Sequence, residues 1–127
     1  MKKNFKIDKF QKKKNVGFIH IKCTKNNTIL TLTDLQGNTL YWVSCGSLGF
    51  KNSRKSTTYA AQAASEKVAF RALKLGFNSV YVDIKGLGFG KESSIRAIYK
   101  SGITLLKIKD CTSIAHNGCR ASKQRRV

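Results

Sequence analysis

Hydrophobic and polar residues alternate with a period of two in the first third of the chain, a pattern typical of half-buried β-strands. In residues 17–23 (GFIHIKC) the isoleucines and the cysteine fall on one face, and the phenylalanine, histidine and lysine on the other. Residues 28–34 (TILTLTD) and 39–45 (TLYWVSC) are rich in β-branched and aromatic residues, and the segments KNNT and LQGN between strands have the composition of turns. This part of the chain predicts an antiparallel meander of three strands.

After residue 57 the hydrophobic pattern takes on the period of an α-helix. Apolar residues recur at steps of three and four, Thr57 is the expected N-cap, and Gly76 is the expected end of the helix. The predicted inward stripe consists of Ala61, Ala64, Val68, Ala72 and Leu75. Its small alanines favour close packing of the helix against a sheet.

A second strand and helix follow. Residues 79–85 (SVYVDIK) predict a fourth strand, and the glycine-rich turn after it leads into a helix that places Ile95 and Ile98 toward the core and ends at Gly102. Residues 104–110 (TLLKIKD) predict a fifth strand. The order β-β-β-α-β-α-β predicts a single α/β domain, a mixed five-stranded sheet with two helices packed on it. Its parallel crossovers are right-handed, and its topology is ribonuclease-H-like without the active site.

Both ends of the chain are basic and offer little to bury. Residues 1–15 carry seven lysines and one acidic residue, which is typical of a flexible arm. Residues 116–127 (HNGCRASKQRRV) contain four Lys or Arg residues and no carboxylate. We expect this extension to be mobile until RNA orders it, because its burial cannot offset the loss of chain entropy. The globular domain is expected at residues 16–115.

The net charge indicates the class of partner. The 127 residues contain 25 Lys and Arg against 6 Asp and Glu, a net charge of +19. Such self-repulsion does not stabilise an isolated domain, and a polyanion would relieve it. The sequence shows neither a run of about 18 apolar residues nor the apolar core of a secretory signal. Nucleic acid is therefore the leading partner, and an anionic membrane surface is the alternative.

The residues that would support metal or enzyme chemistry form incomplete sets. A zinc site would need a fourth ligand beside Cys111, His116 and Cys119. A two-metal nuclease needs clustered carboxylates, whereas the relevant helix and strand offer Glu66 and Asp83. We therefore expect no metal, no cofactor and no enzymatic activity, with nuclease activity as the alternative that the strand order raises.

The glycine-rich turn KGLGFGKES, residues 85–93, is similar to a phosphate-binding loop but lacks the spacing G-x-x-x-x-G-K-[ST]. A glycine turn before a helix N-terminus can still hold an RNA phosphate, because free N–H groups and the positive dipole end meet there. The alternative interpretation is that the glycines are needed only for the conformation of the turn. This turn and the basic loop 46–57 both follow strand C-termini, where α/β sheets tend to form binding crevices. The sequence shows no paired aromatic residues typical of a platform for single-stranded RNA.

Three segments in this order, GFKNSRKSTTYAAQAA, IKGLGFGKESSIRAI and the final HNGCRASKQRRV, resemble the universal small-subunit ribosomal protein eleven family over about residues 16–127. The resemblance implies a structural constituent of the small ribosomal subunit platform. Such a protein binds small-subunit rRNA and helps to shape the exit-site region of the mRNA path during translation. It implies platform proteins seven, eighteen and twenty-one as neighbours, mRNA near the exit site as a further contact, and no membrane partner or enzyme activity. KGLGFGKESS is most similar to mitochondrially encoded members, which implies a mitochondrial ribosome, with a plastid ribosome or a bacterial cytoplasm as alternatives.

Carried over residue by residue, the resemblance assigns RNA contacts to four segments of this sequence. These residues are Asn26 and Asn27 in the first turn; Lys51, Asn52, Arg54, Lys55 and Ser56 in the loop before the first helix; Lys85, Gly86, Gly88, Gly90 and Lys91 in the glycine turn; and His116, Asn117, Gly118, Arg120, Lys123, Arg125 and Arg126 in the extension. Many members of the family have proline at four positions where this chain does not, which predicts a less rigid extension here. These positions are Leu87, Ala115, Ala121 and Ser122.

Overall fold

The five strands form one mixed sheet in the computed structural model, which describes residues 15–127. β1 (Asn15–Cys23), β2 (Thr28–Thr33) and β3 (Thr39–Ser44) form the predicted antiparallel meander. β4 (Phe77–Gly86) and β5 (Thr104–Asp110) continue the sheet on the other side of β1 as parallel neighbours. The strand order is β3-β2-β1-β4-β5, and the predicted fold class is confirmed.

The two helices pack on one face of this sheet and contact each other. α1 (Thr58–Lys74) connects β3 to β4, and α2 (Lys91–Lys100) connects β4 to β5. Both crossovers run in the same direction across the sheet, so right-handed connections bring both helices to the same side. The opposite face is not covered by any helix or strand of residues 15–127.

The hydrophobic core lies between the sheet and the helices. The inward side chains of the central strands are fully or almost fully buried, namely those of Ile19, Ile21, Cys23, Val80, Val82 and Ile84. The predicted helical stripe is buried at its three alanines and at Val68. Leu75 is the exception, because it caps the C-terminal end of α1 and remains 41% exposed. Of the two isoleucines predicted to point inward from α2, Ile98 is fully buried and Ile95 packs at the margin of the core.

The loop between β3 and α1 is more regular than the sequence pattern indicated. It contains two short 3₁₀ turns, Gly46–Leu48 and Asn52–Ser56. Turns this short span too few residues to show a hydrophobic period, so the sequence predicted an irregular loop. The two turns place the basic residues of this loop on a defined backbone rather than on a featureless connection.

The two predicted basic ends differ in what the structure describes. The arm at residues 1–15 lies outside the described residues except for Asn15, which begins β1. After β5, residues 111–127 contain no helix or strand, and all of them except Thr112 are exposed. Ordering of the extension by RNA stays a prediction.

Candidate nucleic-acid interface

Four segments of the chain meet at one edge of the sheet. β1, β3, β4 and β5 run in the same direction, so their C-terminal ends all lie at this edge. The segments that leave these ends are the turn 24–27, the loop 45–57, the glycine turn 86–90 and the residues from 111 onward. We call them together the loop edge. Every residue that the resemblance assigned to RNA lies on one of these segments or directly beside one.

The turn between β1 and β2 is held by its own side chains. The Thr24 and Asn27 main chains are joined by a hydrogen bond of 2.9 Å, and the Asn27 N–H donates to the Thr24 hydroxyl at 3.0 Å. The Asn27 side-chain oxygen accepts from the Thr28 N–H at 3.0 Å. Asn27 therefore shapes the turn, while the exposed Asn26 is free to face a partner.

The loop before α1 presents its basic residues on a fixed backbone. Lys51 and Arg54 are exposed and pair with no carboxylate of residues 15–127, while Lys55 is half-buried. Asn52 adopts φ = 54°, a left-handed conformation that asparagine tolerates better than most residues. The segment 48–54 surrounds an open cavity of about 600 Å³. This concave and positively charged surface suits a phosphate group.

The glycine turn is packed directly on the rest of the chain. A Cβ added at Gly86 would lie 1.9 Å from the Cys23 carbonyl oxygen, and one at Gly88 would lie 2.4 Å from the Thr24 carbonyl oxygen. At Gly90 it would lie 2.6 Å from the Thr28 hydroxyl oxygen. Packing against β1, β2 and the turn between them thus accounts for all three glycines, which supports the conformational interpretation of this turn.

A polar junction that the sequence did not predict ties the glycine turn to the start of the extension. The Thr112 N–H donates to Asp110 Oδ1 at 3.0 Å, and the Gly86 N–H donates to the Thr112 hydroxyl at 3.2 Å. Lys91 Nζ lies 3.5 Å from Asp110 Oδ2. Lys91 was predicted to contact RNA, yet its charge is partly offset within the chain. An aspartate two residues before a threonine at a strand end is the sequence signal that could have identified the junction.

Hydrogen bonds from Thr112 lower the pKa of Asp110, first through the threonine hydroxyl and then through its main-chain N–H, and the Lys91 charge acts in the same direction. Asp110 is therefore ionised at neutral pH and keeps its hydrogen bonds.

Burial raises the pKa of the Cys23 and Cys45 thiols. Both thiols stay protonated and pack in the core as small apolar side chains.

A groove between the two helices extends the loop edge. It has a volume of about 640 Å³ and is lined by residues from the N-terminal half of α1, the glycine turn and α2. Its exposed aromatic and basic side chains are Tyr59, Phe89, Arg96 and Lys100. None of these was among the predicted RNA contacts, although the spacing of Arg96 and Lys100 places both on one helix face.

The carboxylates considered for nuclease chemistry lie on different layers of the molecule. Asp83 is on the sheet face opposite the helices, 3.5 Å from His20 Nδ1. Glu66 is on α1 and accepts a hydrogen bond from Gln62 at 2.9 Å. Within residues 15–127 no three His, Cys, Asp or Glu side chains are grouped to hold a metal ion. The same residues include no helix that could span a membrane.

Comparison with known proteins places this architecture among ribosomal proteins. The profile of the family described as ribosomal protein S11 matches residues 17–126. Small ribosomal subunit protein uS11m of Prototheca wickerhamii is 56% identical over 94% of this chain and 92% of its own length. Small ribosomal subunit protein uS11 of Kosmotoga olearia is 52% identical over 94% and 93%, and uS11c of Phaeodactylum tricornutum is 52% identical over 87% and 85%. The family match spans both helices and nearly the whole sheet and loop edge.

Proposed function

Because this chain belongs to the ribosomal protein S11 family, we propose that its loop edge is the surface that binds small-subunit rRNA. The chain is a structural constituent of the small ribosomal subunit and not an enzyme.

The convergence of the four segments on one edge carries this proposal. The segments contain no Asp or Glu, whereas their basic residues are Lys25, Lys51, Arg54, Lys55, Arg120, Lys123, Arg125 and Arg126. Strands distant in sequence thus bring cations together at one place, and a polyanion bound there releases its condensed counterions. The contacts act mainly on phosphates and on the shape of the RNA, which suits a structural role.

Three of the four segments have different roles in the proposed complex. The loop 45–57 offers a preformed concave surface, because its backbone is set by two 3₁₀ turns and by the N-cap of α1. The glycine turn is held in place beside the turn 24–27, because its glycines pack on Cys23, Thr24 and Thr28. The extension supplies four cations that become ordered when they meet phosphates.

We also propose the position within the ribosome that the family resemblance implies. The chain lies on the platform, beside proteins seven, eighteen and twenty-one where these are present, and borders the mRNA path near the exit site. The mitochondrial ribosome is the proposed location, because the 56% identity to uS11m exceeds the 52% identity to the bacterial and plastid relatives cited. Co-sedimentation with mitochondrial small subunits in moderate salt supports this location, and recovery of the chain solely in free fractions contradicts it.

A pair of variants with equal loss of charge tests the RNA-binding surface. Lys51→Gln/Arg54→Gln removes two exposed cations of the loop edge, and Lys67→Gln/Lys74→Gln removes two from α1. The first variant should bind a small-subunit rRNA fragment more weakly, with a salt dependence of log K less steep by about 0.9 for each lost contact. Equal affinities and equal salt slopes for the two variants would contradict the assignment.

A further inference from the structure

The sheet face opposite the helices carries a cluster of aromatic rings distinct from the loop edge. The sequence alone did not indicate this cluster, because its rings come from β1, β3 and β4. The rings of Phe18 on β1 and Tyr81 on β4 have centroids 5.1 Å apart, and the His20 ring is nearly parallel to that of Phe18 at 5.8 Å. Trp42 on β3 is 58% exposed and stands in the same cross-strand row as His20, with Thr31 between them. We call these four residues, together with Lys22, Lys85, Lys107 and Lys109 on the same side of the sheet, the aromatic face.

The His20 ring is held in a fixed orientation. Its Nδ1 lies 3.5 Å from Asp83 Oδ2, and its Nε2 lies 3.2 Å from the Thr33 hydroxyl oxygen. The His20 side chain nevertheless remains 45% exposed. An exposed ring that is oriented by its neighbours can receive a stacked base without first losing rotational freedom, which lowers the entropic cost of binding.

The charges on this face are arranged for an anion. Lys22 and Lys85 stand directly opposite each other on the parallel strands β1 and β4. Like charges at such positions destabilise a sheet, and an anion placed between them removes that cost. Lys107 and Lys109 on β5 stand beside Tyr81 and Asp83. Among the residues of β1 to β5, Asp83 is the sole carboxylate on this face of the sheet.

A depression extends from the His20 ring to the paired lysines. Its volume is about 400 Å³, and its lining includes His20, Lys22, Thr31, Asp83 and Lys85. Such a volume is within the range of ligand-binding clefts. The depression reaches Cys111 at the loop edge, so a strand of RNA bound there can continue onto this face.

We propose that the aromatic face binds a single-stranded segment of RNA. The bases stack on Trp42 and His20, one phosphate lies between Lys22 and Lys85, and further phosphates lie beside Lys107 and Lys109. Exposed rings interleaved with cations match a polymer that carries both flat bases and regularly spaced phosphates. A protein partner would have to supply several carboxylates to pair the same lysines. The inference rests on the proposed RNA-binding function and adds a second kind of contact to it.

Trp42 gives a direct test because it is the one tryptophan of the chain. The probe is a single-stranded oligoadenylate added to the full-length protein, and stacking should quench the tryptophan fluorescence. With a labelled oligonucleotide, Trp42→Ala should weaken binding roughly tenfold, and Trp42→Phe should restore most of the affinity. Trp42 is exposed on an edge strand, so its replacement does not open the core.

A second pair of variants tests the charges without changing any ring. Lys107→Gln/Lys109→Gln should weaken oligoadenylate binding and reduce its salt slope by about 0.7 for each lost contact with a single strand. The control Lys67→Gln/Lys74→Gln carries the same net charge and should bind as the unmodified protein does.

The outcomes separate this inference from the proposed function. The inference is overturned if the protein binds the rRNA fragment but oligoadenylate does not quench its fluorescence. It is also overturned if Trp42→Ala and Lys107→Gln/Lys109→Gln bind oligoadenylate as well as the control does. Either result leaves the aromatic face to a protein partner. Quenching by oligoadenylate with no binding of the rRNA fragment supports the inference and contradicts the proposed loop-edge function.

Discussion

At the scale of single residues, the glycines of the glycine turn differ from the glycine of the extension in what surrounds them. Gly86, Gly88 and Gly90 are in close contact with the main chain or side chains of β1, β2 and α1, so each is required by packing. Gly118 has nothing within 4 Å of an added Cβ. The same residue type thus fixes the shape of the glycine turn and leaves the extension unconstrained.

Gly88→Ala tests this distinction. The added methyl group would meet the Thr24 carbonyl oxygen at 2.4 Å, and overpacking of this kind costs about 1–3 kcal/mol of unfolding free energy. The variant should therefore unfold at lower denaturant concentration. Gly118→Ala is the matched control and should change the unfolding free energy by less than about 0.5 kcal/mol. Equal stabilities of the two variants would refute the packing role of Gly88.

The junction at Asp110 predicts a pH dependence. Because the pKa of Asp110 is lowered in the folded chain, its hydrogen bonds to Thr112 are present at neutral pH and persist below the usual carboxyl pKa of about 3.9. They are lost as the pH falls through the lowered value.

In an NMR titration the Thr112 amide signal should therefore shift with a midpoint below about 3.9. Asp110→Asn keeps an oxygen that can accept the hydrogen bond but removes the titrating group, so its Thr112 signal should lose this transition. A midpoint at or above the usual value in the unmodified chain would contradict the junction.

At the scale of elements, the start of α1 connects the basic loop to the core. The Thr57 hydroxyl accepts from the Ala60 N–H at 3.3 Å and donates to the Arg54 carbonyl oxygen at 2.7 Å. One side chain therefore caps the helix and closes the 3₁₀ turn before it. The buried alanines of α1 in turn hold this end of the helix against the sheet.

Thr57→Ala should destabilise the chain by about 0.5–2 kcal/mol, because loss of an N-cap leaves a helix N–H unsatisfied. The amides of residues 52–56 should also exchange faster with solvent, since one of the two hydrogen bonds from Thr57 to the Arg54 carbonyl oxygen is lost with the same hydroxyl. Thr57→Ser retains the hydroxyl and serves as the control. A change confined to helix stability, with loop exchange unaltered, would show that the loop is held by other contacts.

At the scale of the whole molecule, folding and RNA binding depend on different parts of the chain. The core lies between the sheet and the helices, whereas the residues that follow Thr112 are all exposed. These residues add positive charge to a chain whose net charge is already +19. The self-repulsion is unfavourable for the free protein and becomes favourable beside phosphates.

Deletion of residues 113–127 should separate the two properties. The thermal midpoint should remain nearly unchanged, because no buried group is removed. Affinity for the rRNA fragment should fall, with a salt slope reduced by up to about 0.9 for each of the four lost cations that contacts phosphate. A marked loss of stability would mean that the extension packs on the domain, and full retention of affinity would remove it from the RNA-binding surface.

The sequence by itself determined the elements and the class of partner. The periods of the hydrophobic pattern located five strands and two helices, because side-chain direction within an element repeats at a fixed interval. The helix-capping Thr57 and the helix-ending glycines were identified by local backbone chemistry, and the net charge indicated a polyanion. All of these properties depend on residues close together along the chain or on the sum over all residues.

Tertiary structure alone decided what lies beside what. Phe18 meets Tyr81, Lys22 faces Lys85, and Gly88 packs on Thr24, although more than sixty residues separate each pair along the chain. Leu75 fits the helical period yet is 41% exposed, because α1 ends at Lys74 and Leu75 is its C-cap. Parallel pairing of β1 with β4 joins strands that no short turn connects, so their register depends on the packing of the whole sheet. This pairing helps to form both the loop edge and the aromatic face.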